Sequence, residues 1–381
     1  MLGLGNALTT GFNKEQLYSL LLDGVNDWLD IGDNWDPGTS NFSVSLWFKA
    51  DSDSGTNDVL FSKWEDNNNK IEIGINGSNK LFGQAIASSN NAFNDTANTE
   101  LDALGLNWIH VVFTMDRDGN AKLYVNGSTS TYGETASSQH ETQNLNNTGS
   151  IYIGARGDGS LDFPGKIDEV AIWATSLPET SVTAIYNSGK PFDLNHDRGN
   201  YTHSSNLHGY WRMGNGSFDD KQNGVVHDAH NPGFGSDLVV NGGFDADSNW
   251  TKQDGWTISG GTANFDFNND NGSNRNLFPS STILIAGNTY KLEFDITSVT
   301  AGGIRMVNST VSDDTTFSTV GTHILYWRAV GPNLYMKADD DAVLSIDNVK
   351  VHKLNGYPGL TSKTMSVTGG TGAFSTDTPD D

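Results

Sequence analysis

The stretch over residues 165–173 alternates apolar and polar residues around one acidic side chain. Because successive side chains of an extended strand point to opposite faces, this alternation predicts a β-strand. The two predicted faces are Ile167, Glu169, Ala171 and Trp173 on one side, and Asp168, Val170 and Ile172 on the other. A carboxylate among apolar neighbours is unfavourable without a partner, and a bound cation is one such partner. Asp168 is therefore a candidate calcium ligand, and the alternative is that it caps a strand edge and hydrogen-bonds a neighbouring loop.

The same Ile-Asp-x-Val pattern recurs near the other end of the chain, within residues 344–351. There Asp347 occupies the position that Asp168 has in the first copy. Two strands of the same pattern, so far apart in the chain, predict two separate β domains.

Short β-prone runs separated by Asn, Asp, Gly and Ser fill most of the remaining sequence. In the first half, these runs are residues 18–31, 42–48, 58–64, 70–75, 108–114, 121–125 and 150–154. Only residues 178–186 have the spacing of a helix, with Leu177, Val182 and Ile185 on one side. The pattern predicts an all-β protein of two antiparallel sandwiches with short terminal arms.

Composition limits the kinds of partner the protein can have. The chain has 381 residues and no cysteine, so two domains must hold together without disulfides. Its 22 basic and 46 acidic side chains give a formal net charge of −24, which argues against nucleic acid or an anionic membrane as partner. Such a charge suits calcium binding and a salty medium. No apolar run reaches the roughly 18 residues that a membrane span requires, and the first ten residues predict no secretory signal.

Several motifs in the first half carry a family resemblance. They are the Asp-Gly turn within residues 22–28, and the strands 42–48, 108–113, 123–127, 151–154 and 165–173. In order and spacing they resemble a laminin-G-like, concanavalin A-type lectin/glucanase jelly roll over residues 18–192. Residues 207–228 are similar to the closing strand and tail of such modules in bacteriophage structural proteins.

The resemblance implies two antiparallel sheets and often one structural calcium ion. That ion would be held by the acid of the Ile-Asp-x-Val strand and by the Asp-Gly turn near the first strand. The matching residues are Asp168, Asp23 and Asp27, together with the backbone carbonyl of Gly24. Whether Asp23 or Asp27 offers its side chain stays open.

The second half resembles the galactose-binding-like jelly roll of carbohydrate-binding modules over residues 236–354. The resemblance is carried by the Val-Asn-Gly-Gly-Phe run within residues 237–245 and by the Ile-Asp-Asn-Val strand at the other end. It implies a calcium site formed by Asp347 with groups around Asn241 to Asp245, although the Asp245 side chain has the alternative of facing solvent.

These resemblances divide the chain into an N-terminal arm (1–17), a first jelly roll (18–235), a second jelly roll (236–354) and a C-terminal tail (355–381). We expect the arm to order against a partner or to fray at the terminus. Residues 363–367 of the tail either add a strand to a neighbour or stay disordered.

Catalysis is not expected from this sequence. A retaining glucanase of this fold carries two carboxylates about 5 Å apart, usually from Glu-x-Asp-x-x-Glu on one strand. Glu293 and Asp295 come nearest to that pattern, but Ser298 stands where the third acid belongs. The histidines between residues 196 and 230 lack the spacing of a metal site, so we interpret them as solvated loop residues.

Four tryptophans lie in or beside turns, where an indole can stack on a sugar ring. They are Trp28, Trp64, Trp250 and Trp256. The alternative for each is a place in the core.

The sequence as a whole predicts a non-enzymatic virion structural protein of a tailed bacteriophage, either a fibre or a capsid-decorating appendage. Its expected partners are other virion proteins, a host cell-surface glycan and further copies of itself, as a trimer. The alternative of another class is a bacterial extracellular glycan-binding protein or glucanase.

Overall fold

The computed structural model describes most of the two predicted β domains. The described residues are 17–52, 55–88, 91–100, 106–119, 121–129, 143–269, 275–308, 311–312, 315–362 and 373–379. The predicted arm at residues 1–16 and the predicted tail strand at 363–367 lie outside them.

The strands are numbered β1 to β27 in chain order. In the first part of the chain they are β1 (Ser19–Asp23), β2 (Leu29–Gly32), β3 (Phe42–Ala50), β4 (Asp58–Asp66), β5 (Asn69–Ile75), β6 (Lys80–Ala87), β7 (Asn91–Glu100), β8 (Ile109–Met115), β9 (Ala121–Val125), β10 (Ser128–Thr129), β11 (Ile151–Ile153), β12 (Pro164–Trp173), β13 (Leu207–Trp211) and β14 (Val225–Val226). The rest are β15 (Phe234–Asp237), β16 (Trp250–Lys252), β17 (Trp256–Ser259), β18 (Thr262–Asp266), β19 (Asn276–Pro279), β20 (Thr289–Ala301), β21 (Ile304–Asn308), β22 (Val311–Ser312), β23 (Gly321–Arg328), β24 (Leu334–Ala338), β25 (Val343–Leu354), β26 (Gly359–Thr361) and β27 (Phe374–Ser375).

The helical residues form one α-helix and three short 3₁₀ turns within the described part of the chain. The helix α1 spans Glu179–Tyr186, where the sequence predicts it, and the 3₁₀ turns are Asn187–Gly189, Ser204–Asn206 and Phe267–Asn269. The all-β prediction is therefore confirmed. None of the helices in the described ranges is long and apolar enough to cross a membrane.

The chain forms two units, Met1–His230 with Thr361–Asp381, and Asn231–Leu360. In the first unit, sheet 1 has the strand order β10-β9-β8-β3-β12-β1-β27, and β13 also pairs with β12. Sheet 2 contains β2-β11-β4-β5-β6-β7 in that order. All of these neighbouring pairs are antiparallel.

The core of the first unit lies between its two sheets. The ring of Trp35 contacts Phe42 of sheet 1 at 5.1 Å and Phe61 of sheet 2 at 6.3 Å between centroids. Phe113 packs closely on Gly83, because a Cβ atom added at Gly83 would lie only 2.5 Å from Phe113 Cδ2. The opposite face of sheet 1 is covered by α1, whose Val182 and Ile185 belong to a second apolar cluster.

The second unit is a sandwich of two antiparallel sheets. Their strand orders are β17-β18-β25-β20-β23, with β15 on β25, and β16-β19-β24-β21-β22. Its core is rich in aromatic side chains, including Trp250, Trp256 and Phe294.

The predicted C-terminal tail differs from what the structure shows. Residues 373–379 lie in the first unit, where β27 pairs with β1 through Ser19 opposite Ser375 and Leu20 opposite Phe374. The edge of β1 offers unpaired backbone groups, so a segment far away in sequence completes the sheet.

Candidate functional site

Asp168 caps a bulge in its own strand. The carboxylate is fully buried, and its Oδ1 atom accepts a hydrogen bond from the backbone N–H of Glu169 at 2.8 Å. Glu169 has a left-handed backbone with φ of 50°, and β12 carries one more residue than β3 between Asp168 and Ala171. This β-bulge interrupts the strict alternation of faces that the sequence predicts.

The neighbouring Glu169 is a buried ion-pair partner. Arg212 on the segment after β13 donates from Nε to Glu169 Oε1 at 2.9 Å, and the Tyr210 hydroxyl donates to Oε2. Burial by itself would lower the pKa of Arg212, but the charge and hydrogen bond of Glu169, with the charges of Asp193 and Asp168, raise it. The acidic pair on β12 therefore has backbone and arginine partners inside the protein.

Asp23, Gly24 and Asp27 form the predicted turn after β1. Asp23 Oδ1 accepts the N–H of Val25 at 2.7 Å, and Asp27 Oδ2 accepts the N–H of Asp23 at 3.2 Å. Gly24 has φ of 78°, and a Cβ on it would lie 2.9 Å from Pro164 Cβ. Both acids are thus occupied in closing a turn that only glycine allows.

The structure does not bring Asp168 together with Asp23 or Asp27. Asp23 lies opposite Pro164, four positions before Asp168 on the same strand, which separates the two acids by about 13 Å. Calcium ligands lie 2.3–2.6 Å from the ion, so two carboxylates on one ion are within about 5 Å. The predicted site between these residues is corrected accordingly, because the register of β1 on β12 was not readable from either strand alone.

Other acids take the place of Asp168 beside the turn. Burial raises the pKa of Asp162, the N–H of Asn26 opposes this rise, and the charges of Asp23 and Asp158 add to it. Within the described ranges, however, no group of three or more histidine or acidic side chains could hold a metal ion.

In the second unit, Asp347 repeats the bulge of Asp168. Its Oδ1 atom accepts the N–H of Asn348 at 2.7 Å, and Asn348 has φ of 54°. Asp347 and Lys350 of β25 lie opposite Asp295 and Glu293 of β20, so β25 has one more residue than β20 between these two pairs. The Ile-Asp-x-Val pattern is therefore a bulge motif in both units.

The structure brings Asp347 and the predicted turn around Asn241 to Asp245 together. Gly242 accepts the N–H of Val349 at 3.0 Å, which holds the turn on β25. A methyl group at Gly243 would lie 4.0 Å from both Asp245 Oδ2 and Asp347 Oδ1, so the two oxygens are at most 8 Å apart. The Asn241 amide donates to Ala246 O and Ser248 O. Asp245 is exposed, as the alternative interpretation had it, and it still lies on the same side of the turn as Asp347.

Two of the four candidate tryptophans are core residues. Trp250 and Trp256 are 6% and 5% exposed, and their indole N–H groups donate to Asn241 O and Arg275 O, each at 2.9 Å. Their rings pack on Phe244 and Phe265. Because neither ring face is open, the interpretation of these two as sugar-stacking residues is corrected.

Trp28 and Trp64 remain half-buried and flank one short loop. Trp28 stacks on Tyr152 with ring centroids 5.4 Å apart and an interplanar angle of 9°. A methyl at Gly159 would lie 3.5 Å from Trp28 Cη2, and one at Gly157 would lie 3.5 Å from Trp64 Cε3. The loop between these glycines therefore sits between the two indoles.

A row of polar side chains, not anticipated from the sequence, crosses sheet 2 near these tryptophans, with Trp28 stacked on Tyr152 and Trp64 two residues after Ser62 on β4. Register places its members directly opposite one another on five adjacent strands: Asp30, Tyr152, Ser62, Glu72 and Gln84. We call this set the polar row. The only sequence signal is the alternation in β5, where Lys70 and Glu72 interleave with Ile71, Ile73 and Ile75.

Glu72 is the charged centre of the polar row. It is fully buried, with Lys70 Nζ and Arg156 Nε each 3.0 Å from its carboxylate and the Gln84 amide donating at 2.5 Å. Arg156 belongs to the loop that the two tryptophans flank. With these three partners the Glu72 carboxylate is a hydrogen-bonding and positioning group within the row.

The polar row lacks the acid pair of a glycosidase. Its second carboxylate, Asp30, is three strands from Glu72, a separation of about 14 Å. Glycosidases place their two carboxyl groups about 5–9.5 Å apart. The arrangement can hydrogen-bond and stack on a ligand, and it does not supply paired acid and base groups.

Comparison with known proteins identifies the first unit. Residues 23–183 match the Laminin_G_3 family, described as the concanavalin A-like lectin/glucanases superfamily. This part of the first unit is thus similar to the superfamily, and the match covers less than half of the chain. None of the curated protein sequences matches the chain.

Several solved structures share part of the fold. A heptameric SAP-like pentraxin from Limulus polyphemus is 15% identical, with 46% of this chain and 84% of that chain covered and a TM-score of 0.37. The CBM40 of the Ruminococcus gnavus IT-sialidase is 11% identical, with 44% and 97% covered and a TM-score of 0.34. The binding domain of Paraclostridial Mosquitocidal Protein 1 is 12% identical, with 85% and 91% covered and a TM-score of 0.34. At these TM-scores we base no argument on the likeness.

Proposed function

We propose that the protein is a non-enzymatic virion structural protein of a tailed bacteriophage, a fibre or capsid-decorating appendage whose first unit binds a cell-surface glycan. The observation that supports the binding role is the polar row of sheet 2 with the half-buried Trp28 and Trp64 beside it. The similarity of residues 23–183 to the concanavalin A-like lectin/glucanases superfamily supports this role.

The polar row has the chemistry that a polyhydroxylated ligand requires. Glycan sites combine a few fixed hydrogen-bonding groups with aromatic faces that contact the apolar side of a sugar ring. The half-buried Gln84 and Tyr152 supply an amide and a hydroxyl group, and the half-buried Trp28 and Trp64 supply aromatic rings, whereas Ser62 is fully buried within the row. The fixed charge of Glu72, neutralised by Lys70 and Arg156, holds this surface rigid.

The virion part of the proposal rests on the sequence. Residues 207–228 resemble the closing segment of such modules in phage structural proteins, and the net charge of −24 argues against nucleic acid and anionic membrane as partners. The localisation that follows is the virion, with an extracellular bacterial protein as the competing outcome.

Calcium is part of the proposal for the second unit. Asp245 and Asp347, with oxygen donors of the turn that begins at Asn241, fit a cation because the turn already gathers two carboxylates and folds over β25. A cation there would neutralise the two acids and tie the start of the second unit to its last long strand. In the first unit the residues do not fit, because Asp168 lies about 13 Å from the Asp-Gly turn.

Mass spectrometry of purified virions tests the virion role. It should find the protein, and its absence from particles would overturn that role.

Binding measurements test the glycan role. Glycan arrays and calorimetry should show at least one glycan ligand whose binding Trp64→Ala and Trp28→Ala each weaken about tenfold, as expected for a lost stacking contact of about 1.4 kcal/mol. As a control, Phe218→Ala removes an exposed aromatic ring elsewhere in the first unit, 44% exposed, and should leave binding unchanged. Equal binding by all three variants would place the ligand elsewhere.

A further inference from the structure

Residues 373–379, which we call the docked segment, form the edge of sheet 1. Two of them pair with β1, and Leu21 donates its N–H to Ala373 O at 2.9 Å. Phe374 is 5% exposed and Ala373 1% exposed, so their side chains are buried in the first unit. The segment thus completes both the hydrogen bonds and the apolar surface of β1.

Asp377 anchors the docked segment through charge. Its Oδ2 atom lies 2.7 Å from Lys49 Nζ and 3.7 Å from Lys166 Nζ, and its Oδ1 accepts the Trp108 indole N–H at 2.9 Å. The Ser19 hydroxyl adds a bond to the Asp377 carbonyl at 2.7 Å. We call Lys49, Trp108 and Lys166 the anchor pocket.

The docking site recognises a specific kind of segment. An unpaired sheet edge accepts an extended strand through main-chain hydrogen bonds, and side-chain pockets then decide which strand it takes. Here the ladder has only two residue pairs, so the anchor pocket and the Phe374 contact supply the selectivity. The preferred occupant is an extended segment with an aromatic residue three positions before an aspartate.

Charge complementarity singles out another copy of this chain as a partner. With a net charge of −24, most of the surface repels a second copy, whereas the anchor pocket presents two lysines and an indole donor to an aspartate. Every copy carries both the docked segment and its receiving site. A segment that fits its own chain fits the identical site of a neighbour, which is the basis of strand exchange between copies.

We propose that copies of this protein assemble by exchanging the docked segment, so that Asp377 of one copy enters the anchor pocket of another. The proposal goes beyond the glycan-binding function, since it holds whether or not the protein binds sugar or belongs to a virion. Exchange around a closed ring is compatible with the trimer that the sequence analysis predicts.

A charge exchange in the full-length chain tests this assembly. Lys49→Glu and Asp377→Lys each break the anchor, so each variant alone should lose the parent's assembled mass in light scattering. A 1:1 mixture should form a heterodimer or another even-numbered assembly, whatever the parent's copy number, because Asp377 of the first variant meets Lys49 of the second, and Lys at position 377 meets Glu at position 49. Lys122→Glu and Asp118→Lys make the same charge changes elsewhere in the first unit and should leave assembly intact. Circular dichroism confirms that every variant is folded.

Three results would contradict strand exchange. A monomeric parent over a concentration series would show that the segment docks only on its own chain. Variants that keep the parent's mass, or a folded mixture that fails to assemble, would place the interface elsewhere. Each of these outcomes overturns strand exchange and leaves the glycan and virion tests unaffected.

Cysteine cross-linking supplies an independent measurement. The chain has no cysteine, and Ser19 lies directly opposite Ser375. Oxidising a mixture of full-length Ser19→Cys and Ser375→Cys chains should join one of each into a disulfide-linked dimer. Neither variant can form this heterodimer alone, and its absence from a mixture unfolded and refolded together would contradict exchange.

Discussion

Asp347 accepts the backbone N–H of Asn348 through its own carboxylate, at 2.7 Å, where the strand bulges and Asn348 turns left-handed. Asp168 and Glu169 repeat this relationship at 2.8 Å in the other unit. An extra residue in a strand leaves its N–H out of the ladder, and an aspartate just before it supplies the missing acceptor. The repeated Ile-Asp-x-Val pattern therefore has a structural role in both units that does not require a metal ion.

If Asp347 caps the bulge, its replacement by asparagine and by alanine should change stability by different amounts. Asp347→Asn keeps an oxygen acceptor for the Asn348 N–H and should unfold within about 0.5 kcal/mol of the parent in chelator. Asp347→Ala loses that hydrogen bond and should be destabilised by about 1 kcal/mol. Denaturant unfolding in EDTA measures both values. Equal destabilisation by the two substitutions would contradict the capping role.

Calcium stabilisation should depend on the charge at the same position. If calcium binds between Asp245 and Asp347, calcium at a hundredfold excess over Kd raises the unfolding free energy by about 2.7 kcal/mol. Asp347→Asn and Asp245→Asn should abolish this gain, whereas Asp168→Asn should keep it. Thermal unfolding with and without calcium makes the comparison, and an unchanged response in both second-unit variants would remove the calcium assignment.

The Glu169–Arg212 pair should be costly to break from one side. Arg212→Met removes the arginine partner of a buried carboxylate that Tyr210 also contacts, and we expect a loss of about 3–5 kcal/mol. The double variant Glu169→Leu with Arg212→Met removes both charges and should recover most of that loss. A double-mutant cycle by denaturant unfolding measures the coupling. Additive losses would show that the two groups act independently.

Buried His110 should make the fold less stable in mild acid. Burial lowers its pKa from 6.5 to about 3, and its Nε2 atom lies 2.8 Å from the Ser45 hydroxyl. Between these values the unfolded chain binds a proton that the folded chain does not, so stability is complete above pH 6.5 and falls toward pH 3. The slope from one such group is at most about 1.4 kcal/mol per pH unit.

Replacing His110 isolates its contribution to the pH dependence of the unfolding free energy. His227 is fully buried, which corrects its interpretation as a solvated loop histidine. Burial lowers its pKa to about 4, which adds a slope of the same sign in the parent. His110→Gln should reduce the slope of unfolding free energy against pH between pH 6.5 and pH 4. The reduction corresponds to at most one bound proton, about 1.4 kcal/mol per pH unit. Denaturant titrations across this range measure the slope, and an unchanged slope in the variant would contradict a neutral buried His110.

Docking of residues 373–379 should fail at a lower pH than the pH at which the buried His110 begins to weaken the fold. Burial alone would raise the pKa of Asp377, but hydrogen bonds from Lys49 and Trp108 and the charges of Lys49 and Lys166 lower it below 3.8. A lowered carboxylate pKa gives a contribution that is present above 3.8 and lost as pH falls below it. Hydrogen exchange at the Leu21 N–H, corrected for its intrinsic pH dependence, should show protection lost there. Asp377→Asn should remove this pH dependence.

Sequence patterns were sufficient for the features that depend on neighbouring residues. Alternation predicted the strands around Asp168 and Asp347, and the spacing of Val182 and Ile185 predicted α1, because side-chain periodicity is a local property of a strand or helix. The Asn-Gly-Gly-Phe turn and Asp347 were also matched to each other in advance. That pairing came from the resemblance of the second half to a known type of jelly roll.

Tertiary structure decided everything that depends on register and on contacts between distant segments. The pairing of β1 on β12 set Asp23 about 13 Å from Asp168, and three strands, β11, β4 and β5, had to align before Glu72 and Tyr152 shared one row. Trp250 looked the same in sequence as Trp64, yet Trp250 fills a core and Trp64 stays half-buried on sheet 2. No local pattern distinguishes such cases, because burial and register follow from which strands become neighbours, and that choice depends on the packing of the whole unit.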